Sequence, residues 1–350
     1  MQILSTRLEK ILARFSKLKI LVLGDVMLDE FVWGKVSRIS PEAPVPVVEV
    51  QNTSLYPGGA ANVARNLCEF TSHVSICGVI GKDEAGRKLL DLLKEKGVAT
   101  GGILALPNRP TTHKTRISAQ LQQTARDPRS KNTTEILPLW SYAQMVRVDA
   151  ETRERVNSEV RSKLLTYLLS AIKKHDALII EDYAKGVLDQ ELVTGVINEA
   201  LRLGKVVAVD PNPTNPLHWS GVTVVKPNRA ETFQAAGLAS QPGMEAVTHA
   251  GINLQKKWQS KYLLITLGSD GMLLLEQGEK AHHAPTQARE VYDVSGAGDT
   301  AIAVFTMALA ARATGIEASE IANHAAGVVV GKLGTATLTI KELRNSFLSE

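Results

Sequence analysis

A glycine-rich string near the C-terminal end of the chain combines two chemical features. Residues 293–300 are Asp-Val-Ser-Gly-Ala-Gly-Asp-Thr, and a long run of small apolar residues follows at once. That run predicts a helix, so Gly296, Ala297 and Gly298 lie where the helix begins and offers unpaired backbone N–H groups. Because glycine has no Cβ, a phosphate can come close to these donors. Asp299 follows in the first turn, where its carboxylate can accept a proton from an attacking hydroxyl. Phosphoryl transfer needs both an anion cradle and such a base.

A second pair of glycines precedes another predicted helix. Residues 57–62 are Pro-Gly-Gly-Ala-Ala-Asn and begin a helix over 60–69. Gly58 and Gly59 therefore lie at a helix N-terminus, and Asn62 lies in its first turn. The neutral donors and acceptors of this turn suit sugar hydroxyls. Each glycine turn alone is also typical of an ordinary helix start, so their combination is the stronger signal.

Short apolar strands alternate with helical segments along most of the chain. The strands are predicted at 20–23, 177–180, 206–209, 222–225 and 262–266. Repeated strand–loop–helix units predict an α/β fold with a mostly parallel sheet that helices cover on both faces. Such sheets bind ligands at the carboxyl ends of their strands. Asp29 follows the first strand and is placed to bind a polyol, although an aspartate that caps its own turn is the alternative.

Further polar candidates follow the later strands or lie in extended segments. Asn228 and Glu231 form an Asn-x-x-Glu motif whose hard oxygen ligands suit Mg²⁺, acting through water. The alternative is a capped helix N-terminus with the same two residues. Lys185 is a candidate for neutralising a phosphate. Arg116 and Arg147 are candidates for bidentate phosphate binding.

Three separate extended segments predict a small β-sheet lid. Residues 30–51 alternate in polarity, but their prolines exclude a central strand and favour an edge ribbon. Residues 109–119 and 144–150 are the other two segments of this predicted lid. Between them, residues 121–142 are polar and predict a mobile surface insertion. The whole chain, 1–350, is predicted to form one kinase-sized domain with this lid.

The composition excludes several functional classes. The 350 residues are 44 % hydrophobic and carry a net charge of +4 without a dense basic block, so no nucleic-acid partner is expected. No apolar run reaches the ~18 residues of a membrane span, so no membrane partner is expected. The only cysteines, Cys68 and Cys77, favour a reducing compartment and a cytoplasmic location. A Walker A motif, a dinucleotide-binding glycine motif after the first strand and a zinc motif are all missing.

Both glycine strings resemble signatures of one enzyme family. Residues 293–300 resemble the second signature of the ribokinase-like carbohydrate kinases, the phosphofructokinase B family, and residues 57–81 resemble the first. The resemblance implies a three-layer αβα sandwich with a small β-sheet lid. It implies ATP and Mg²⁺ as cofactors, with a monovalent cation such as K⁺ as a further candidate. The exposed edge of a β-sheet lid also invites a homodimer through the lid.

The resemblance also implies roles for particular residues. Gly296, Ala297 and Gly298 would form the anion hole, and Asp299 would be the catalytic base. Asn228 and Glu231 would bind the metal ion through water molecules. The expected substrate-binding residues are Asp29, Gly58, Gly59, Asn62, Arg116, Arg147, Asp182 and Lys185. The expected nucleotide-binding residues are Asn228, Glu231, Thr266, Gly268, Ser269, Gly271, Gly296, Gly298 and Asn323.

Longer strings resemble the D-glycero-β-D-manno-heptose 7-phosphate kinases within this family. The strings are 24–29, 37–48, 57–64, 182–186, 285–294 and 325–335. This resemblance implies phosphorylation of heptose 7-phosphate at the anomeric O1, a step toward ADP-heptose for lipopolysaccharide. Bifunctional members continue into a nucleotidyltransferase-like domain with a His-x-Gly-His motif, which is not found here, so the chain resembles a kinase-only form or an excised kinase domain.

Two other functions are kept open by the residues. The first is another sugar, sugar-phosphate or nucleoside kinase of the same fold. The second is a nucleotide-binding regulatory protein without turnover, which would keep the glycines but would not need Asp299 beside them.

Overall fold

The computed structural model describes residues 3–126, 136–288, 293–332 and 334–348, and for residues 121–126 and 136–142 it describes the backbone alone. The strands are β1 (Ile20–Gly24), β2 (Val26–Ile39), β3 (Pro46–Gly59), β4 (Val74–Gly81), β5 (Ala99–Leu106), β6 (Thr112–Arg126), β7 (Ile136–Ala150), β8 (Ala177–Glu181), β9 (Val206–Asp210), β10 (Val224–Val225), β11 (Tyr262–Thr266), β12 (Met272–Glu276) and β13 (His282–Ala284). The helices are α1 (Ser5–Phe15), α2 (Ala60–Cys68), α3 (Glu84–Glu95), α4 (Ser158–Ala171), α5 (Gln190–Arg202), α6 (Arg229–Ala236), α7 (Met244–Trp258), α8 (Ala297–Ala310), α9 (Gly315–Val330) and α10 (Ile340–Ser346). Among the described helices, none is both long and apolar enough to cross a membrane.

The larger sheet has nine strands in the order β13-β12-β11-β10-β9-β8-β1-β4-β5. Its strands run parallel from β5 to β11, and β12 and β13 are antiparallel additions at one edge. Every residue of β1 is buried, as expected for a parallel strand with both faces covered. The predicted mostly parallel sheet is therefore confirmed.

Helices cover both faces of this sheet. Ile20 and Val22 of β1 belong to a hydrophobic cluster that includes residues of α1, α2, α8 and α9. Leu21 and Leu23 belong to a second cluster that includes residues of α4, α5 and α7. Because successive side chains of a strand point to opposite faces, the two clusters lie on opposite sides of the sheet. The predicted three-layer αβα arrangement follows.

The smaller sheet is the lid, with the strand order β3-β2-β6-β7. Strand β2 pairs antiparallel with β3 and parallel with β6, and β6 pairs antiparallel with β7. Pro46 begins the edge strand β3, a position that tolerates the missing N–H. All four strands extend beyond the predicted lid segments.

The segment predicted as an insertion, 121–142, continues the strands of the lid. The backbones of β6 and β7 remain paired as far as Arg126 and Ile136. Residues 127–135 lie outside the described residues, so the predicted mobility of this segment stays a prediction.

The two glycine turns end at helix starts, as the sequence predicts. Gly296 is the N-cap of α8 and has φ 82°, in the left-handed region that glycine adopts without strain. Gly59 is the N-cap of α2, with φ 56°. Helix α8 is buried along most of its length and packs against α2, so the two N-termini lie close together.

Candidate active site

A buried hydrogen bond joins the two glycine turns. The side-chain amide of Asn62, in the first turn of α2, donates through Nδ2 to Oδ2 of Asp299 at 2.7 Å. One turn further along α2, Asn66 accepts a hydrogen bond through Oδ1 from the hydroxyl of Thr300, the residue after Asp299, at 2.9 Å. Residues more than two hundred positions apart therefore meet at one point, and the contact orients the Asp299 carboxylate.

Tyr183 holds the second oxygen of Asp299. Its hydroxyl donates to Oδ1 of Asp299 at 3.0 Å. Burial raises the pKa of Asp299 from 3.8 to about 6, and the nearby charge of Asp210 acts in the same direction. The hydrogen bonds from Asn62 and Tyr183 and the charge of Lys226 oppose this rise. At pH 7 the carboxylate is therefore mostly ionised and has a proton affinity suited to a general base.

Two further carboxylates lie behind Asp299. One oxygen each of Glu181, Asp210 and Asp299 lies within 4.8 Å of the others. Glu181 is fully buried, and within the described part of the chain neither of its oxygens has a hydrogen-bond partner. Burial raises the pKa of Glu181 well above its usual value, and the charges of Asp210 and Asp299 add to this rise. Three hard oxygen donors around one point form a set that fits a divalent cation.

Lys226 supplies positive charge next to the glycines of α8. Its ammonium pairs with Oδ2 of Asp210 at 2.8 Å and is almost fully buried. A Cβ built on Gly298 would lie 3.3 Å from the Lys226 Nζ, so the ammonium lies beside the helix N-terminus. Backbone N–H groups and an ammonium together form an anion site.

Sequence reasoning did not identify Glu181, Tyr183 and Lys226 as site residues. The available signal was their position, since each lies at the carboxyl end of a strand of the parallel sheet or within two residues of it. A further residue that was missed, Asp25, accepts hydrogen bonds from the backbone N–H groups of Tyr183 and Lys185 at 2.9 and 3.0 Å. Asp25 therefore fixes the loop that presents Tyr183 to Asp299.

A large cavity opens beside Asp299. Its volume is about 750 Å³, and Tyr183, Lys226 and Asp299 form part of its wall. All nine residues predicted to bind nucleotide line this one cavity, namely Asn228, Glu231, Thr266, Gly268, Ser269, Gly271, Gly296, Gly298 and Asn323. The structure thus brings together the predicted nucleotide site, and Ala297 of the glycine string lies in the same wall.

The Asn228–Glu231 motif forms a helix cap in the structure. The Asn228 side chain accepts from the N–H of Glu231 at 2.9 Å, and the Glu231 side chain accepts from the N–H of Asn228 at 2.8 Å. The capping alternative is therefore present. Both residues also line the cavity, and the negative charge of Asp210 lies close enough to raise the pKa of Glu231, after the larger effect of burial.

Asp29 lies on the lid side of the site. Arg116 donates through Nη1 to Oδ1 of Asp29 at 2.6 Å. A Cβ on Gly58 would lie only 2.3 Å from Oδ2 of Asp29, so glycine is needed for this approach. Gly59 follows as the N-cap of α2, three residues before Asn62. The predicted group of sugar-binding residues, except those discussed next, is assembled around these contacts.

The other three predicted substrate residues are engaged with protein groups. Arg147 pairs with Asp149 at 2.9 Å and is half exposed, and the Lys185 ammonium pairs with Glu151 at 2.7 Å. The Asp182 carboxylate accepts from the N–H of Ala184 at 2.8 Å and from the Asn215 side chain at 3.0 Å. Burial raises the pKa of Asp182 to about 7. In this structure Asp182 therefore stabilises its own loop.

Sequence comparison identifies relatives over nearly the whole chain. The profile of the family described as pfkB family carbohydrate kinase matches residues 17–190 and 147–342. The chain is 41% identical over 330 residues to a protein of Helicobacter pylori named Bifunctional protein HldE, covering 93% of this chain and 65% of that relative. It is 39% identical to the protein of the same name from Desulfatibacillum aliphaticivorans, covering 94% and 63%. The chain thus spans somewhat less than two thirds of the length of these curated relatives.

Solved structures share the fold at low sequence identity. Arabidopsis thaliana ribokinase, solved with ribose and ATP, superposes with a TM-score of 0.65 at 20% identity and covers 95% of this chain and 97% of its own. Escherichia coli phosphofructokinase-2, solved with potassium, gives a TM-score of 0.68 at 18% identity, covering 95% and 98%. These likenesses agree with the ribokinase-like fold of two sheets described above. The profile match, which covers most of the chain, shows that the chain belongs to the pfkB family of carbohydrate kinases.

Proposed function

We propose that this kinase transfers the γ-phosphoryl group of ATP to the anomeric O1 of D-glycero-β-D-manno-heptose 7-phosphate. The product is the 1,7-bisphosphate, an intermediate toward ADP-heptose for the lipopolysaccharide core. The observation that carries the transfer reaction is the position of Asp299, whose carboxylate is held by Asn62 and Tyr183 in the wall of the nucleotide cavity. The choice of sugar rests on the sequence strings that resemble heptose 7-phosphate kinases and on the relatives named HldE.

The proposed chemistry assigns separate roles to the residues around α8. The O1 hydroxyl gives its proton to Asp299 while O1 forms a bond to the γ-phosphorus, and the bond to the bridging oxygen of ADP breaks. The backbone N–H groups at 296–298 and the Lys226 ammonium stabilise the charge on the transferred group. One such donor contributes about 3 kcal/mol in comparable sites. Positioning matters more than base strength, because the transition state of phosphoryl transfer is loose.

A divalent cation fits the acidic residues at this position. Asn228 and Glu231, acting through water, with Asp210 beside them, would hold Mg²⁺. The unpartnered oxygens of buried Glu181 and the clustering of its carboxylate with Asp210 support this fit. When bound, Mg²⁺ supplies charge neutralisation to the nucleotide phosphates. A monovalent cation such as K⁺ is a further candidate cofactor.

The acceptor lies on the lid side of Asp299 in this proposal. Asp29, Gly58, Gly59 and Asn62 hold the sugar hydroxyls, and the lid excludes water that would otherwise hydrolyse ATP. We also propose a cytoplasmic homodimer that associates through the lid, without a nucleic-acid or membrane partner.

The test is an acceptor panel with ATP and Mg²⁺. ADP formation is measured with heptose 7-phosphate, the free heptose, other sugar phosphates, free sugars and nucleosides, and the product is identified by ³¹P NMR. We expect the highest kcat/KM for heptose 7-phosphate and a new anomeric phosphate signal. A preference for another acceptor would assign a different activity within the family. ATP binding without turnover on every acceptor would instead support a regulatory protein.

A further inference from the structure

Lys114 lies on the acceptor side of Asp299 and has no role in the chemistry described so far. In the lid, Lys114 of β6 is in register with Asp29 of β2 and with Asp149 of β7. Its Nζ lies 5.6 Å from the centre of the Tyr183 ring, and the Tyr183 hydroxyl bonds Asp299. One tyrosine side chain therefore separates the Lys114 ammonium from the proposed base. A sugar with one end at Asp299 would extend its other end toward Lys114.

Among the described residues, Lys114 lacks the close ion pair that its cationic neighbours form. Arg116 pairs with Asp29 at 2.6 Å, and Lys185 pairs with Glu151 at 2.7 Å. No ion pair joins Lys114 to a carboxylate in the part of the chain that the structure describes, and its best-defined partner is the Tyr183 ring. Partial burial of the ammonium costs free energy and lowers the pKa of Lys114. The charge of Lys185 acts in the same direction, and the carboxylates of Asp29, Glu151 and Asp149 oppose it. An anionic ligand would offset this cost.

Two arginines lie next to Lys114 on the same face of the lid. Arg116 lies two residues after Lys114 on β6, and Arg147 of β7 is directly opposite Arg116. Because alternate residues of a strand share a face, Lys114, Arg116 and Arg147 point to the same side. Asp29 and Asp149 each pair with one of these arginines, at 2.6 and 2.9 Å, so the two guanidinium groups are partly neutralised while the Lys114 ammonium lies beside them. Guanidinium groups and an ammonium match the charge and the acceptor oxygens of a phosphate.

We propose that Lys114 binds a phosphate group on the acceptor, at the end remote from the hydroxyl that is phosphorylated, with Arg116 and Arg147 beside it. The lid would then select a phosphorylated sugar over the corresponding free sugar. This inference rests on the proposed function, because it places the acceptor between Asp299 and the lid. It adds the residue by which that site would recognise the second phosphate.

The experiment compares two acceptors in Lys114→Met. Steady-state kinetics are measured with heptose 7-phosphate and with the unphosphorylated heptose. For the phosphorylated acceptor, we expect KM to rise roughly 10- to 100-fold, as for loss of a hydrogen bond to a charged group. The kcat/KM for the free heptose and the KM for ATP should change less than about twofold. Lys114→Arg should recover part of the loss.

A matched control and a stability measurement separate recognition from folding. Lys35→Met removes an exposed lysine from the lid strand β2 and should leave both acceptors unchanged. Thermal unfolding is followed for every variant, and Lys114→Gln provides a second substitution if methionine disturbs the fold. Equal losses for the two acceptors, or a raised KM for ATP, would overturn the assignment of Lys114.

Failure of the heptose proposal would be visible separately. If wild-type enzyme prefers a different sugar phosphate, the heptose function is wrong. Lys114→Met must then still raise the KM for that phosphorylated acceptor selectively. If wild-type enzyme prefers an unphosphorylated acceptor, the phosphate site is wrong as well.

Discussion

Asp299 is held by two neutral donors while buried acids surround it. This arrangement orients the carboxylate and keeps its pKa close to the pH at which a general base works. Asp299→Asn keeps the size of the side chain but replaces one acceptor oxygen with an NH2 group and cannot accept the proton. We expect kcat to fall roughly 10²-fold or more, with an unchanged fold and a similar KM for ATP.

The control for this variant is Asp91→Asn, which makes the same chemical change at an exposed position of α3. Turnover by Asp299→Asn close to that of the control would remove Asp299 from the role of base.

The pH dependence of activity should report the Asp299 environment. Because the base must be ionised, kcat/KM should rise with pH through about 6 and level off above it. The Tyr183 hydroxyl lowers the pKa of Asp299 by donating to it. Tyr183→Phe should therefore shift this acidic limb to higher pH. A pH–rate profile of both proteins checks this, and a shift to lower pH would contradict the proposed hydrogen bond.

The same raised pKa has a consequence for stability. A carboxyl group whose pKa rises from 3.8 to about 6 on folding favours the folded state below pH 3.8, and this contribution is lost as the pH rises through 6. Above pH 6, the buried charge of Asp299 therefore costs on the order of 3 kcal/mol. Asp299→Asn should stabilise the protein at pH 8 and have little effect near pH 4. Urea denaturation at both pH values measures this, and an equal effect at both would contradict it.

At the scale of elements, Asp83 connects the main sheet to the lid. It caps α3 by accepting from the N–H of Gly86 at 2.8 Å. It also accepts from the backbone N–H and the hydroxyl of Thr111, just before β6, at 2.7 and 2.6 Å. Asp83→Ala should lower the free energy of unfolding by about 2 kcal/mol through loss of the cap and of these bonds. Asp91→Ala on the same helix should have almost no effect, and equal denaturation midpoints for the two variants would exclude this role.

The elements of the site were predictable where the signal was local. Glycine pairs before apolar runs predicted the starts of α2 and α8, and strand-end loops predicted the nucleotide cavity. Tyr183 could not be assigned, because its contact with Asp299 spans 116 positions and depends on where β8 ends. Strand β10 is shorter than predicted because the Thr223 hydroxyl takes the N–H of Val207 at 3.0 Å in place of a backbone carbonyl. The pattern of hydrophobic residues does not reveal where a side-chain hydroxyl accepts a hydrogen bond in place of a backbone carbonyl.

At the scale of the whole molecule, two valines are exposed on the outer face of the lid. Val146 and Val148 of β7 are 48% and 53% exposed, on the face opposite Arg147. An exposed apolar face on a sheet with a free edge favours association. We expect a dimer by light scattering, and Val148→Asp should convert it to a monomer that still unfolds cooperatively.

Leu238→Asp places the same charge at an exposed leucine outside the lid and should leave the dimer intact. A wild-type protein that remains monomeric at high concentration would refute association through the lid.

Strand β1 gains its two neighbours at very different times during synthesis. Its partner β4 follows closely, whereas β8 on its other side begins only after the entire lid, and Lys19 and Asp176 bond there across 157 positions. A ribosome adds residues at about 5–20 per second, so the nascent chain carries this apolar edge open for on the order of ten seconds. Truncated chains that stop before β8 should therefore aggregate or need a chaperone, and the lid must be made before the centre of the sheet can close.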